Sequence, residues 1–173
     1  MTVRRAEPAD IAELATVAAA TFPLACPPSA TPENIAAFIA ETLSEQRFSD
    51  YLTADDRIVL VAHDDAITGY AMLIHGVPDN PDVQRAVESR PAIELSKIYV
   101  APAAHGTGVA GTLMTEALRH GTDLGFSSMW LGVNQENQRA QRFYRKHGFQ
   151  INGTKTFQLG SRVEQDYVMV RAL

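Results

Sequence analysis

At 173 residues the chain has the length of one domain and is long enough to bury most of its unfolded surface. Hydrophobic residues at 46% and charged residues at 20% exclude a disordered or fibrous chain. A formal net charge of -5 argues against a nucleic-acid partner, because such binders display a basic patch that releases counterions from phosphate, and it suits a cationic substrate.

Cys26 is the only cysteine, so no internal disulfide forms. It sits in Cys26-Pro27-Pro28 with no electropositive neighbour to make it a thiolate. The first residues lack a long apolar run, and no later run reaches bilayer-spanning length. The expectation is a cytoplasmic protein with no membrane partner.

In chain order, residues 3–5 suit a short strand, and Ile11, Leu14, Ala15, Ala18 and Phe22 recur at helical spacing, with Pro23 expected to close that helix. Thr31-Pro32 is a capped helix start, followed by Ile35, Phe38, Ile39 and Leu43 on one face. A further helical stretch passes through Phe48, Tyr51 and Leu52. Residues 57–63 and 67–75 read as strands joined by the Asp64-Asp65 turn, hence a hairpin. Residues 76–91 form a proline-punctuated loop with one helical turn near 83–87. A strand over 92–100 then feeds a glycine-rich turn and a helix over about 109–124. A buried strand (128–133), a helix (137–147) and two C-terminal strands complete the chain. Asn152-Gly153-Thr154 is expected to be a simple turn.

The turn Ala104-His105-Gly106-Thr107-Gly108-Val109-Ala110-Gly111 lies between strand and helix, where free N–H groups and the positive helix end converge on an anion. Glycines 106 and 108 let the backbone approach a diphosphate, and small residues at 110 and 111 are expected to let the helix press on the sheet. Gly106, Gly108 and Gly111 also spell the dinucleotide pattern G-x-G-x-x-G. A Rossmann sheet, however, places that turn after its first strand. Here about a hundred residues precede the turn, and no acidic residue ends the next strand to take a ribose hydroxyl. No Gly-Lys-Ser/Thr follows, which excludes a Walker loop.

These residues resemble the GNAT superfamily of N-acetyltransferases. Its acetyl-CoA loop, Gln/Arg-x-x-Gly-x-Gly/Ala, reads here His105-Gly106-Thr107-Gly108-Val109-Ala110, with histidine in the first place. The stretch from Asn137 through Ala140 and Tyr144 to Gly148-Phe149 is similar to the family's Asn-x-x-Ala-x-x-x-Tyr-x-x-x-Gly-Phe helix and turn. The likeness extends over nearly the whole chain and narrows to PaiA-like polyamine N-acetyltransferases, through Glu94-Leu95-Ser96-Lys97-Ile98-Tyr99-Val100, Trp130-Leu131-Gly132-Val133, Phe157-Gln158-Leu159-Gly160 and Asp166-Tyr167-Val168-Met169.

The resemblance implies an acetyl-CoA donor and a small-molecule amine acceptor, with spermidine and spermine among the candidates. The α/β fold it implies has a mostly antiparallel, twisted sheet, splayed between its fourth and fifth strands, with helices on both faces and room for a homodimer.

Acetyl transfer needs a neutral amine, a polarised carbonyl and a proton for the departing thiolate. Glu94 is the candidate base, acting directly or through water, against the alternative of a strand-end carboxylate facing solvent. Tyr144 is the candidate acid, a phenol neutral at physiological pH, against plain packing beside Phe143. For the cofactor, the resemblance assigns Ile98, Tyr99 and Val100 (main chain), His105, Gly106, Thr107, Gly108, Val109, Ala110, Gly111, Asn137 and Tyr144. Asn137 can also cap its helix. Asp79, Asp82 and Glu88, interleaved with Arg85 and Arg90, read as a solvated loop. The five histidines lack metal-ligand spacing. A peptide or protein N-terminal acetyltransferase and a non-catalytic acyl-CoA module remain the alternatives.

Overall fold

The computed structural model describes residues 1–173. Its elements are β1 (Thr2–Arg5), α1 (Ile11–Ala25), α2 (Pro32–Thr42), α3 (Glu45–Thr53), β2 (Arg57–His63), β3 (Ile67–His75), α4 (Pro81–Ala86), β4 (Ala92–Val100), α5 (Val109–Asp123), β5 (Ser128–Asn134), α6 (Gln138–Lys146), β6 (Gln150–Leu159) and β7 (Arg162–Ala172). The strands form one seven-stranded sheet in the order β1-β2-β3-β4-β5-β7-β6. Every neighbouring pair is antiparallel except β4 and β5.

That parallel pair holds only from Ala92↔Ser128 to Glu94↔Trp130. Beyond Glu94 the two strands part, which opens the sheet at its centre. The splay expected between these strands is therefore present.

Both faces of the sheet are covered. On one, Leu113, Met114 and Ala117 of α5 pack with Leu60, Leu73, Ile93, Leu95 and Met129. On the other, Leu14, Ala18 and Phe22 of α1 and Phe48 of α3 pack with Val59, Val61, Tyr70 and Met72. This is why residues 58–62 are an unbroken buried run rather than an alternating one.

Capping explains the helix starts. Oγ1 of Thr31 accepts from Asn34 N at 3.1 Å, and Oγ of Ser44 accepts from Arg47 N at 3.2 Å, each satisfying an orphan donor. Three local expectations are corrected. Helix α1 runs through Pro23 to Ala25, because the packing of Phe22 in the core outweighs the one ladder bond that a proline cannot make. Asn152-Gly153-Thr154 is no turn but a bulged part of β6: Asn152 Nδ2 donates to Ala86 O, and a Cβ on Gly153 would lie 2.7 Å from that of Ala86. Residues 102–104 form a 3-10 turn that the pattern did not signal.

The β6–β7 hairpin is long enough to reach α2, where Ser161 N donates to Asn34 Oδ1 at 3.2 Å. That arch sets Phe157 edge-on to Phe38, ring centroids 5.5 Å apart. No helix is long and apolar enough to cross a membrane.

Candidate active site

The glycine-rich turn spends two of its backbone donors on itself, His105 N to Pro102 O at 3.1 Å and Thr107 N to Ala104 O at 3.3 Å, and leaves those that follow free. Gly106 and Gly108 have φ of 77° and 88°, in the left-handed region that favours glycine. α5 starts directly after, and the N–H groups of its first residues have no carbonyl one turn back. Thr112 N donates to Gly108 O at 3.1 Å, leaving Val109, Ala110 and Gly111 to point outward. A Cβ on Gly106, Gly108 or Gly111 would meet nothing within 4 Å, so the cradle is open to a ligand and fits a diphosphate.

For Gly111 this corrects the packing role expected of it. Close helix–sheet approach falls instead at Gly121, where a Cβ would meet Leu173 at 2.8 Å, and at Gly69, where it would meet Leu113 at 3.1 Å. Thr107 Oγ1 donates back to Ala104 O at 2.5 Å. The ring of His105 bonds Val100 O at 2.9 Å through Nε2, so its side chain ties the turn to β4.

From this turn a cleft of about 580 Å³ runs through the splay. Ala101 N donates to Thr68 O at 2.8 Å, and Tyr99 lies two positions along the same register, opposite Tyr70. The alternation of an antiparallel ladder therefore turns the main-chain groups of Tyr99 towards β3 and those of Ile98 and Val100 towards the cleft. Tyr99 instead contributes its side chain, packed on Tyr70.

Among the groups that α6 and its capping residue bring to the cleft wall are Tyr144 and Asn137. Asn137 caps the helix, its Oδ1 accepting from Ala140 N at 3.1 Å, which leaves its amide N–H groups free. Tyr144 packs edge-on to Phe149, and burial pushes its phenol up to about 12, so it is neutral and able to donate.

Glu94 also lines the cleft and is not a solvent-facing strand end. Burial raises its carboxyl above the ordinary value of 4.5, opposed by the charges of Lys97, Lys155 and Arg57. Cys26 lies on the same wall, but burial lifts its thiol to about 11 and Sγ is engaged with Phe22 O, so it is a poor nucleophile. Asp79, Asp82 and Glu88 lie away from the cleft, and Asp82 pairs with Arg85.

The cleft also gathers residues that sequence reasoning had not placed in a site: Lys97, Lys155, Asp166, and the aromatic wall Phe22, Phe38 and Phe157. A β-bulge at Ser96 shifts the register between Met72 and Leu73 and puts Lys97 on the same face as Glu94. Lys155 Nζ pairs with Asp166 Oδ2 at 3.3 Å. Gly132 makes room for that pair, since a Cβ there would lie 2.5 Å from Lys155 Cε. Alternation along β4 alone misplaces Lys97, and only strand pairing joins residues 132, 155 and 166.

Comparison with known proteins bears on the family and the fold. The model of the acetyltransferase (GNAT) family matches residues 21–149. An uncharacterised N-acetyltransferase of Mycobacterium tuberculosis (strain ATCC 25618 / H37Rv) is 56% identical over 165 residues, 95% of this chain and 98% of that protein. The crystal structure of the PaiA N-acetyltransferase from Thermoplasma acidophilum, in complex with coenzyme A, matches with a TM-score of 0.78 at 21% identity, over 99% of this chain and 98% of that one. A ribosomal-protein-alanine N-acetyltransferase from Brucella melitensis matches with a TM-score of 0.65 at 23% identity, over 100% of both chains. At these identities the two solved structures carry the fold and not the acceptor.

Proposed function

The chain belongs to the acetyltransferase (GNAT) family, and from that premise we propose that it is an acetyl-CoA-dependent N-acetyltransferase. Its 173 residues work as one domain that moves acetyl to a primary amine of a small molecule, by direct attack in a ternary complex. The carrying observation is the set of free main-chain donors at Val109, Ala110 and Gly111, behind the left-handed Gly106 and Gly108, at the mouth of a cleft that also holds Glu94 and Tyr144.

The donor would be held at its diphosphate by the N–H groups of Val109, Ala110 and Gly111, with the left-handed Gly106 and Gly108 shaping the turn. Its pantetheine arm would meet the main chain of Ile98 and Val100 and the free amide of Asn137. When bound, acetyl-CoA supplies an activated acyl group. Glu94, with its proton affinity raised by burial, takes the proton of the acceptor ammonium, directly or through water. The neutral Tyr144 hydroxyl donates towards the leaving sulfur. The inert Cys26 thiol favours direct transfer over an acetyl-enzyme.

The test couples calorimetry with acetyl-CoA to free-thiol release across polyamines, amino acids and short peptides. Heat together with release from small amines supports the reading. Heat without release from any amine reduces the protein to a binding module, and release only with peptides moves the acceptor to a chain terminus. No heat with millimolar acetyl-CoA overturns the proposal.

A further inference from the structure

The acceptor side of the cleft carries balanced charge and not a polyanionic surface. On the face covered by α1 and α2, it presents two carboxylates, Glu94 and Asp166, and two ammonium groups, Lys97 and Lys155. Asp166 is already paired, at 3.3 Å from Lys155 Nζ. Lys97 is not: its Nζ reaches only Ser96 O at 3.3 Å and Ser96 Oγ at 3.4 Å. Both bonds are long and local, and no carboxylate lies within ion-pair distance of it. Glu94 likewise has neither a hydrogen bond nor an ion pair. An ammonium held by only two long local bonds and a carboxylate held by none stand on one strand face because of the bulge at Ser96.

Both groups are half-buried in the cleft wall, where the cost of partial desolvation is offset by a ligand that brings the opposite charge. Burial lowers the proton affinity of Lys97, the charge of Glu94 opposes that, and Lys155 and Arg57 add to it. A polyamine entering here would meet as many cations as anions, with one ammonium already neutralising Asp166. The field therefore works against a polycation. A molecule carrying its own carboxylate next to its amine complements both free groups at once.

The walls describe the rest of that molecule. Phe22 and Phe38 stack with ring centroids 4.4 Å apart, and Phe157 closes edge-on to Phe38. The ammonium groups lie over this aromatic surface, Lys97 at 5.7 Å from the Phe38 centroid and Lys155 at 5.5 Å from that of Phe157. An apolar side group fits there.

We infer that the acceptor is a small zwitterion with an apolar side group, an amino acid or close analogue, whose carboxylate is held by Lys97 with Lys155 beside it and whose amine faces Glu94. This rests on the acetyl-transfer reading and narrows its substrate class. The chemistry balances: the zwitterion's ammonium gives one proton to Glu94, the nitrogen bonds the acyl carbon as the thioester C–S bond breaks, and the nitrogen sheds a second proton, which offsets the one that sulfur takes from Tyr144. Lys97 is a specificity-determining residue in this scheme and touches only the acceptor's carboxylate.

The experiment uses the full chain and acceptors matched in side group. Phenylalanine is compared with phenylalaninamide and phenethylamine, methionine with methioninamide and 3-(methylthio)propylamine, and spermidine is run alongside. Acetyl-CoA calorimetry is done on the same sample. The amino acids are expected to exceed their amides and decarboxylated amines in kcat/KM by about 10- to 100-fold, the range for a hydrogen bond to a charged group. Lys97→Met should raise KM for the amino acids and bring the ratio towards one, and Lys97→Arg should restore part of it. Lys155→Met should move the ratio the same way, which guards against a Lys97→Met protein that folds poorly.

Equal or faster release with amide, decarboxylated amine or spermidine overturns the inference. So does a ratio that Lys97→Met leaves untouched, or no release with any of these acceptors from protein that binds acetyl-CoA. Absence of heat with acetyl-CoA brings down the acetyl-transfer reading itself, and is read separately.

Discussion

Two residues illustrate how environment turns an ordinary side chain into a chemical group. Tyr144 sits in a helix whose other aromatic, Phe143, packs beside it, yet it lines the cleft and burial holds its phenol protonated. Tyr144→Phe is expected to lower turnover by roughly 10²-fold, the scale of losing a positioned acid, while calorimetry finds acetyl-CoA affinity largely retained. Glu94 is the complementary case. It must be ionised to take a proton, and burial raises its pKa, so kcat/KM climbs with pH along a limb displaced above the ordinary carboxylate value. Glu94→Gln should remove that limb and reduce kcat/KM by about 10²-fold. Because ionising a carboxylate of raised pKa disfavours the folded state above that pKa, the same substitution should raise Tm at neutral pH. A lowered Tm together with an unchanged pH profile would take Glu94 out of the mechanism.

At the scale of elements, the site is made where regular structure stops. β4 ends, a 3-10 turn and two left-handed glycines reverse the chain, and α5 begins with its first donors unspent. Gly108→Ala forces a Cβ into the left-handed region, at about 1–2 kcal/mol of backbone strain, and points a methyl group into the open cradle. The expected outcome is a lower midpoint in urea together with weaker acetyl-CoA binding by calorimetry. Loss of stability with binding intact would mean that the turn is only structural. The β6–β7 hairpin plays the other constructive part, carrying Lys155, Phe157 and Asp166 across to α2.

Across the whole molecule, two helical layers clamp a sheet that is paired at one end of its centre and open at the other. The charges that stabilise this fold differ from those kept for chemistry. Asp10 is buried and accepts two bonds from the Arg4 guanidinium, at 2.7 Å and 3.0 Å, and one from Glu7 N at 2.7 Å. The bond to Arg4 is the main cause of its lowered pKa. Its contribution is therefore complete above the ordinary value of 3.8 and fades as pH falls through the lower native value. Asp10→Asn should cost about 1–2 kcal/mol at neutral pH, measured in urea, with the gap to the native protein closing in strong acid. A gap independent of pH would assign the loss to packing.

Much of this was legible locally. Helix caps at Thr31, the hairpin over residues 57–75, the glycine-rich turn and the helix with Asn137 and Tyr144 depend on neighbours within a few residues, so their signals are contiguous in the chain. Pro23 and Asn152-Gly153-Thr154 misled because their usual local meaning was overridden, the first by the packing of Phe22 in the core and the second by pairing with β7. The amino-acid sequence by itself determined the anion cradle, the order of elements and the candidate acid and base. Tertiary structure alone decided the charge of the cleft beside Glu94: a bulge turns Lys97 to the side of Glu94, and strand pairing brings Gly132, Lys155 and Asp166 together. The physical reason is that charge complementarity depends on distance in space, which a bulge sets for Glu94 and Lys97 and strand pairing sets for Gly132, Lys155 and Asp166, and neither is written in local alternation.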